Sequence, residues 1–250
     1  MFKAWGIYIF VTALVFGVAK MVYGINVWYF TKDPNALNKE GDFYFGAFSN
    51  LGVIFWTIAA TLCFFGTFYL KRYNPGSPLR SFLLHGGIFT TILLLDDLYM
   101  WHEQMFPVYF GISAHFVYAT YLAYGIFFIV RFRKEIFKTE YLILLASAFL
   151  ISLSVLVDVL HDSSRLYVFF LKITGMPQGL LDEMAVLLEE TAKGMGILTW
   201  LIYFSRVLFK NVLPAKDNGN IETSKRKTIS APLSQIKSFH VDTLHTTRKT

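Results

Sequence analysis

Apolar stretches long enough to cross a lipid bilayer recur along most of this chain. A helix needs about 20 apolar residues to span the hydrocarbon core, at about 1.5 Å per residue. The chain is 55% hydrophobic and only 16% charged, which is unusual for a soluble domain of 250 residues. The sequence therefore predicts an all-α, polytopic integral membrane helical bundle with six transmembrane helices. These lie at about residues 4–30, 46–70, 82–101, 113–131, 140–161 and 182–209.

Two further segments do not fit a transmembrane span. The segment from Arg165 to Lys172 is apolar but too short to cross, and Gly175 and Pro177 follow it. This pattern indicates a short interfacial or re-entrant helix before the last span. From residue 214 the chain is basic, rich in Ser, Thr and Lys, and short of aromatic residues. We therefore predict a six-helix domain at 1–213 and a disordered cytoplasmic tail at 214–250.

Basic residues near the ends of spans predict the orientation, because Lys and Arg are retained on the cytoplasmic side. One assignment places eight of them inside before the tail is counted, against four outside. We therefore predict a multi-pass membrane protein with both termini in the cytoplasm. A cleaved signal peptide at residues 1–20 is the alternative, but the apolar run continues past Lys20. The eight inner residues are Lys3, Lys71, Arg72, Arg80, Arg131, Arg133, Lys134 and Lys138.

With this orientation, the acidic residues fall almost entirely on the outer side. Of the fourteen Asp and Glu residues before the tail, twelve lie in outer loops or outer halves of spans, and two lie inside. A charge deep in a bilayer costs at least about 2.5–3.5 kcal/mol unless it is paired or hydrated. We therefore predict an outward-facing polar site between the third, fifth and sixth spans. Its candidate catalytic residues are Asp96, Asp97, Glu189, Glu190 and Lys193, and its candidate metal ligands are His102, Glu103, His115, Asp158, His161 and Asp162.

The residue types at this site suit a divalent metal ion. Asp158, His161 and Asp162 stand at positions i, i+3 and i+4, so they share one helix face. Carboxylates and imidazoles are ligands for zinc, manganese and iron. Such an ion activates water, and a spare carboxylate acts as general base. The leading hypothesis is therefore a metal site for hydrolase-like chemistry on a lipid or other apolar substrate in the bilayer.

Other functions remain open at this point. Intramembrane carboxylates also suit a proton or cation transporter or channel, with protons or cations as the transported species. Lys193 is expected to pair with Glu189 or Glu190 in its own helix, which leaves one carboxylate over. Polar helix ends that only hold the bundle together would make the chain a non-catalytic structural membrane subunit. Nothing in the sequence indicates nucleic-acid binding, and the lone Cys63 excludes a disulfide framework.

Two narrower alternatives concern bound cofactors. Glu189 and Lys193, four residues apart in an apolar last helix, together with the earlier sequence TTILLLDD, resemble the carboxylate and Schiff-base lysine pattern of microbial rhodopsins. That fold has seven spans, whereas six are predicted here. A haem held by two of His102, His115 and His161 is the other alternative, because proteins bind haem through axial histidines.

Overall fold

The structure, a computed structural model, describes residues 2–23, 28–31, 46–162, 168, 171–173, 175 and 177–213. All regular secondary structure within these ranges is helical, in agreement with the all-α prediction. Two of the segments are π-helical and the others are α-helical. The elements are α1 (Phe2–Tyr23), α2 (Trp28–Thr31), α3 (Ala47–Tyr73), α4 (Pro78–Tyr99), π1 (Trp101–Tyr109), α5 (Ala114–Arg131), α6 (Arg133–Phe137), α7 (Tyr141–Asp162), α8 (Gln178–Val207) and π2 (Leu208–Val212).

Four helices are long and apolar enough to cross a membrane. They are α3, α4, α5 and the Tyr141–Leu160 part of α7, and they coincide with four of the predicted spans. The other two predicted spans correspond to α1 and α8. The apolar stretch of α1 is shorter, Phe2–Val18, and α8 carries several charged residues in its first half. The agreement is therefore at the level of an all-helical fold with four apolar helices of membrane-spanning length.

The third predicted span ends differently from the expectation. Met100 adopts a left-handed conformation with φ 51°, so α4 ends at Tyr99 and π1 follows. The Asp96 carboxylate accepts a hydrogen bond from the backbone N–H of His102 at 3.0 Å. This bond satisfies a donor that the break in the α-helix would otherwise leave without an intrahelical partner. His102 and Glu103 therefore lie on a π-helical turn rather than on a continuation of α4.

Two predictions fall largely outside the described residues. Of the predicted interfacial helix at 165–172, only Val168, Leu171 and Lys172 are described, and each is helical. The predicted tail at 214–250 lies wholly outside them.

Helix α8 packs against α7, α3 and α1, and α3 also packs against α4. Ile197, Trp200, Phe204 and Val207 are buried on α8, at the spacing of a single helix face. Long apolar helices associate through close packing and hydrogen bonds between them. Ser147 on α7 supplies such a bond, since its hydroxyl donates to a backbone carbonyl of α8 at 2.8 Å.

Aromatic side chains fill the middle of the bundle. The ring of Phe82 stacks on those of Phe128 and Phe204, with centroids 5.2 and 6.0 Å away. The Trp200 indole contacts Phe204 and donates a hydrogen bond to the Thr90 hydroxyl at 2.9 Å. Along α4 and α8 these residues separate the acidic residues from a basic group at the opposite ends of the two helices.

The basic side chains at the end of α8 and in π2 surround one carboxylate, that of Glu140, which lies just before α7. Its carboxylate accepts hydrogen bonds from the Arg206 guanidinium, with Nη2 at 2.6 Å, and from Lys210 Nζ at 2.5 Å. We call these three residues the Glu140 cluster. The hydrogen bonds from Arg206 lower the pKa of Glu140 to about 2, although partial burial acts in the opposite direction. The cluster ties the end of α8 to the loop before α7.

Replacement of Glu140 by Gln should therefore lower stability in a pH-dependent way. At pH 7 we expect a loss of about 1 kcal/mol of unfolding free energy, because a pair about one-third exposed is screened by solvent. The folded-state pKa lies below the unfolded value near 4.3, so ionised Glu140 stabilises the fold above about pH 5. That contribution is lost as the pH falls through about 2. Thermal unfolding in detergent across this range measures the difference from wild type.

The control for this prediction is Glu135→Gln. Glu135 lies on α6 at the same end of the bundle, and its carboxylate is in no ion pair with a described residue. Its replacement should change stability by no more than about 0.5 kcal/mol at any pH. A Glu140→Gln deficit that is as large at pH 2 as at pH 7 would contradict the role assigned to the carboxylate.

Candidate functional site

Six carboxylates gather at the end of the bundle opposite the Glu140 cluster. Glu190 interacts electrostatically with Lys193, Asp97, Glu103 and Asp158, and Glu189 also interacts with Lys193. The side chains come from α4, π1, α7 and α8, so they are brought together only by the fold. We call this group the acidic cluster, and its members are Asp96, Asp97, Glu103, Asp158, Glu189 and Glu190, with His102 and Lys193 among them.

A cross-helix ion pair joins α4 to α8 within the acidic cluster. Lys193 Nζ lies 2.5 Å from Asp97 Oδ1, and the Asp97 side chain is only 8% exposed. The Trp56 indole N–H, on α3, donates a hydrogen bond to Asp97 Oδ2 at 3.2 Å. The sequence predicts that Lys193 pairs within α8, but its ion pair is with Asp97. A buried carboxylate needs a compensating charge more than a half-buried one does. Asp97 lies between three helices, whereas Glu189 and Glu190 are half-buried.

The two glutamates of α8 lie beside this ion pair. Glu189 and Glu190 are half-buried, and Lys193 is within electrostatic reach of both. Tyr8 on α1 interacts electrostatically with Glu190 and Lys193. Its hydroxyl lies over Gly194, where an added Cβ would be only 1.7 Å away. Glycine at 194 therefore allows α1 to cover this side of the acidic cluster.

His102 is held on both sides of its ring by carboxylates. Nδ1 lies 2.9 and 2.8 Å from the two carboxylate oxygens of Asp96, and Nε2 lies 3.5 Å from Glu103 Oε1. Burial opposes protonation of the imidazole, but the hydrogen bonds with Asp96 and Glu103 outweigh it and raise the pKa of His102 to about 9. The geometry fixes the ring with Nδ1 toward a buried acceptor and Nε2 toward a second carboxylate.

Tyr118 contacts both Asp158 and His102 in the acidic cluster. Its hydroxyl donates to Asp158 Oδ2 at 2.8 Å, and its ring lies 4.8 Å from that of His102. Tyr118, Trp56 and Tyr8 are not among the site residues predicted from the sequence, because aromatic residues in a span have an ordinary role in packing. The available signal is that a Tyr hydroxyl or Trp N–H inside an apolar helix needs a hydrogen-bond partner.

Three candidate residues are not brought into the acidic cluster by the described structure. His115 lies at the start of α5 with an exposed side chain. His161 and Asp162 belong to the last turn of α7, and their side chains lie outside the described part of the chain. The shared face predicted for Asp158, His161 and Asp162 therefore stays a prediction. Among the described side chains, no group of three His, Cys, Asp or Glu residues is arranged to hold a metal ion.

Comparison with protein families gives a match over most of the chain. A family model described as Domain of unknown function (DUF8692) matches residues 7–207, which include every described member of the acidic cluster. No curated protein and no solved structure matches the chain.

Proposed function

The chain belongs to the DUF8692 family, and for this member we propose an integral membrane protein that crosses the bilayer six times with both termini in the cytoplasm. The four apolar helices of spanning length support the proposal, and α1 and α8 complete the count. The charges of α8 lie beside Asp97 and Tyr8, which reduces the cost of placing them at membrane depth. Basic residues concentrate at the end that holds the Glu140 cluster, so that end is assigned to the cytoplasm.

In this orientation the acidic cluster opens outward and carries an excess of negative charge. Its six carboxylates face two groups able to carry a positive charge, Lys193 and His102. Lys193 is already paired with Asp97. Further positive charge is needed, because uncompensated anions are costly near hydrocarbon. We propose that a divalent metal ion, zinc, manganese or iron, supplies part of it.

The geometry of His102 carries this proposal. An imidazole that binds a metal through Nε2 usually donates its Nδ1 hydrogen to a carboxylate, which fixes the ring. Asp96 occupies that second position here. His102 Nε2 and Glu103 Oε1 are 3.5 Å apart, so one metal ion would reach both atoms. His102 and Glu103 therefore fit two positions of one coordination sphere.

Other members of the acidic cluster would complete the site. Asp158 is oriented by the Tyr118 hydroxyl, and His161 and Asp162 follow it on α7. Metal binding would displace the proton that Asp96 and Glu103 favour on His102, so proton and metal compete for the imidazole.

The chemistry that such a site supports is hydrolysis of an ester or amide bond. A metal held by these residues would polarise a carbonyl and activate water. Glu189 or Glu190 would accept the proton of that water and return it to the leaving alkoxide or amine as the C–O or C–N bond breaks. Both lie in the cluster, and neither has an ion pair with a described residue. Lys193 forms an ion pair with Asp97 and holds α4 against α8. In a membrane, lipid would surround the apolar outer surface of the bundle. The proposed substrate is therefore a lipid or another apolar molecule.

The test is the metal content of the purified protein. We expect stoichiometric zinc, manganese or iron in the wild type, and at least a tenfold loss of metal affinity in His102→Gln, since a ligand is removed. His161→Ala should also lose metal if that side chain completes the site. His115→Gln is the matched control, because His115 is exposed at the start of α5. Metal that persists in His102→Gln would refute this assignment.

A second function is favoured by the Asp97–Lys193 ion pair. A pair between two helices that also faces Glu189 and Glu190 changes its charge balance when one carboxylate is protonated. Proton or cation movement uses such groups. If the chain moves protons or cations, we expect purified protein without metal. We also expect a pH-dependent ion flux in reconstituted vesicles, which Glu190→Gln abolishes. If metal and flux are both absent, the chain is a structural subunit.

A further inference from the structure

An open pocket lies beside the Glu140 cluster, at the end of the bundle assigned to the cytoplasm. It is a small, shallow opening between the loop before α7 and the last turns of α8 and π2. Neither the metal proposal nor the transport proposal uses it. Its lining consists of the Glu140 cluster with Thr139, Tyr203, Val207 and Asn211.

The pocket carries a surplus of positive charge. Arg206 and Lys210 both bind the single carboxylate of Glu140, so one positive charge has no counterpart within the cluster. The Arg206 and Lys210 side chains are 41% and 57% exposed, which leaves both cations accessible to a ligand. The Thr139 hydroxyl, 2.8 Å from the Tyr203 hydroxyl, and the Asn211 side chain add neutral polar groups. An anion with several acceptor oxygens, such as a phosphate group, matches this set.

Two large, exposed apolar side chains are close in sequence to residues that line the pocket. Phe209 precedes Lys210 on π2 and is 63% exposed, and Phe137, two residues before Thr139, is 69% exposed. A free phosphate ion gains nothing from these rings. A phospholipid brings acyl chains that would cover them while its headgroup meets Arg206 and Lys210. The neighbouring rings therefore favour a lipid over a soluble anion.

We infer that this pocket binds the phosphate headgroup of an anionic phospholipid from the cytoplasmic leaflet, through Lys210 and Arg206, with its acyl chains against Phe137 and Phe209. This inference rests on the proposal that the chain is an integral membrane protein. It is independent of the metal ion and of ion movement. The lipid would complete the charge balance of the Glu140 cluster and hold the end of α8 at the membrane surface.

The test uses the purified full-length protein in an uncharged detergent. Its thermal midpoint is measured with added phosphatidylglycerol and, separately, with phosphatidylcholine. We expect phosphatidylglycerol to raise the midpoint more than phosphatidylcholine does, and Lys210→Gln to weaken the apparent affinity for phosphatidylglycerol about fivefold, as loss of one charge near a lipid headgroup predicts. Lys210→Arg keeps the charge and should bind as the wild type does. Each variant is compared with itself in the two lipids, so a change in basal stability cancels.

Lys71→Gln is the matched control, since Lys71 is an exposed lysine at the end of α3 and lies outside the pocket lining. It should leave the preference for phosphatidylglycerol unchanged. Equal effects of the two lipids, or an unaltered preference in Lys210→Gln, would overturn the inference. Equal stabilisation by inorganic phosphate would assign the pocket to a free anion instead. If the chain were recovered in the soluble fraction of lysed cells, with the membranes removed, the membrane proposal itself would be refuted. That result differs from recovery with the membranes and no preference between the two lipids.

Discussion

Replacement of Lys193 by Met is expected to lower the free energy of unfolding by about 3–5 kcal/mol, because it leaves a buried carboxylate without its partner. Asp97 is 8% exposed, and Lys193 Nζ at 2.5 Å is its ion-pair partner. The remaining Trp56 N–H, at 3.2 Å, cannot neutralise a full charge. Thermal or denaturant unfolding in detergent, followed by helical circular dichroism, measures the effect.

The double variant Asp97→Asn/Lys193→Met should recover most of this loss. Both charges are then absent, and the Asn side-chain oxygen still accepts the Trp56 hydrogen bond. Replacing a buried ion pair by neutral side chains is often close to neutral in stability, whereas removal of one partner is costly. A double variant as unstable as Lys193→Met would show that packing of the Lys193 stem, and not charge, is responsible.

Lys20→Met is the control for Lys193→Met. Lys20 on α1 also forms an ion pair with a glutamate of α8, Glu183, but the Lys20 side chain is 52% exposed. An exposed pair is worth at most about 1 kcal/mol, so this variant should stay close to the wild type. Equal losses in Lys20→Met and Lys193→Met would contradict the view that burial of Asp97 makes its pairing important.

The long apolar helices could be predicted from the sequence because runs of about 20 apolar residues are typical of helices of membrane-spanning length. The stretches predicted at 46–70 and 140–161 correspond to Ala47–Tyr73 and Tyr141–Asp162 in the structure. The break at Met100 could not be predicted, because no glycine or proline marks it. It depends on a left-handed Met and on Asp96 accepting the backbone hydrogen bond of His102, six residues later, and neither leaves a recognisable pattern in the sequence.

The residue types of the site could also be predicted, but their pairing could not. Helical spacing identifies neighbours on one helix, and it suggests that Lys193 pairs with Glu189 or Glu190. The pair with Asp97 depends on how α4 and α8 are rotated about their axes, which spacing does not report. The same limit applies to Tyr118, which contacts Asp158 on a different helix.

Close approach of α7 to α8 gives the other large effect. A Cβ at Gly196 would lie 3.1 Å from the backbone nitrogen of Ile151 and 2.7 Å from its side chain. The backbone of α7 cannot yield as a flexible side chain end would, so we expect Gly196→Ala to cost about 2–3 kcal/mol of unfolding free energy. The two helices would have to separate, and the Ser147 hydrogen bond to the Gly196 carbonyl, 2.8 Å long, would weaken with them.

Gly179→Ala, on the same helix, separates this steric effect from helix propensity. An added Cβ at Gly179 meets nothing within 4 Å. Both substitutions remove the same freedom from the unfolded chain, which by itself favours alanine by up to about 1 kcal/mol. Gly179→Ala should therefore leave thermal stability in detergent unchanged or slightly raised, whereas Gly196→Ala lowers it. If Gly196→Ala were as stable as Gly179→Ala, the contact between α7 and α8 would have to be looser than its distances indicate, and hydrogen bonds such as that of Ser147 would be left to hold the two helices together.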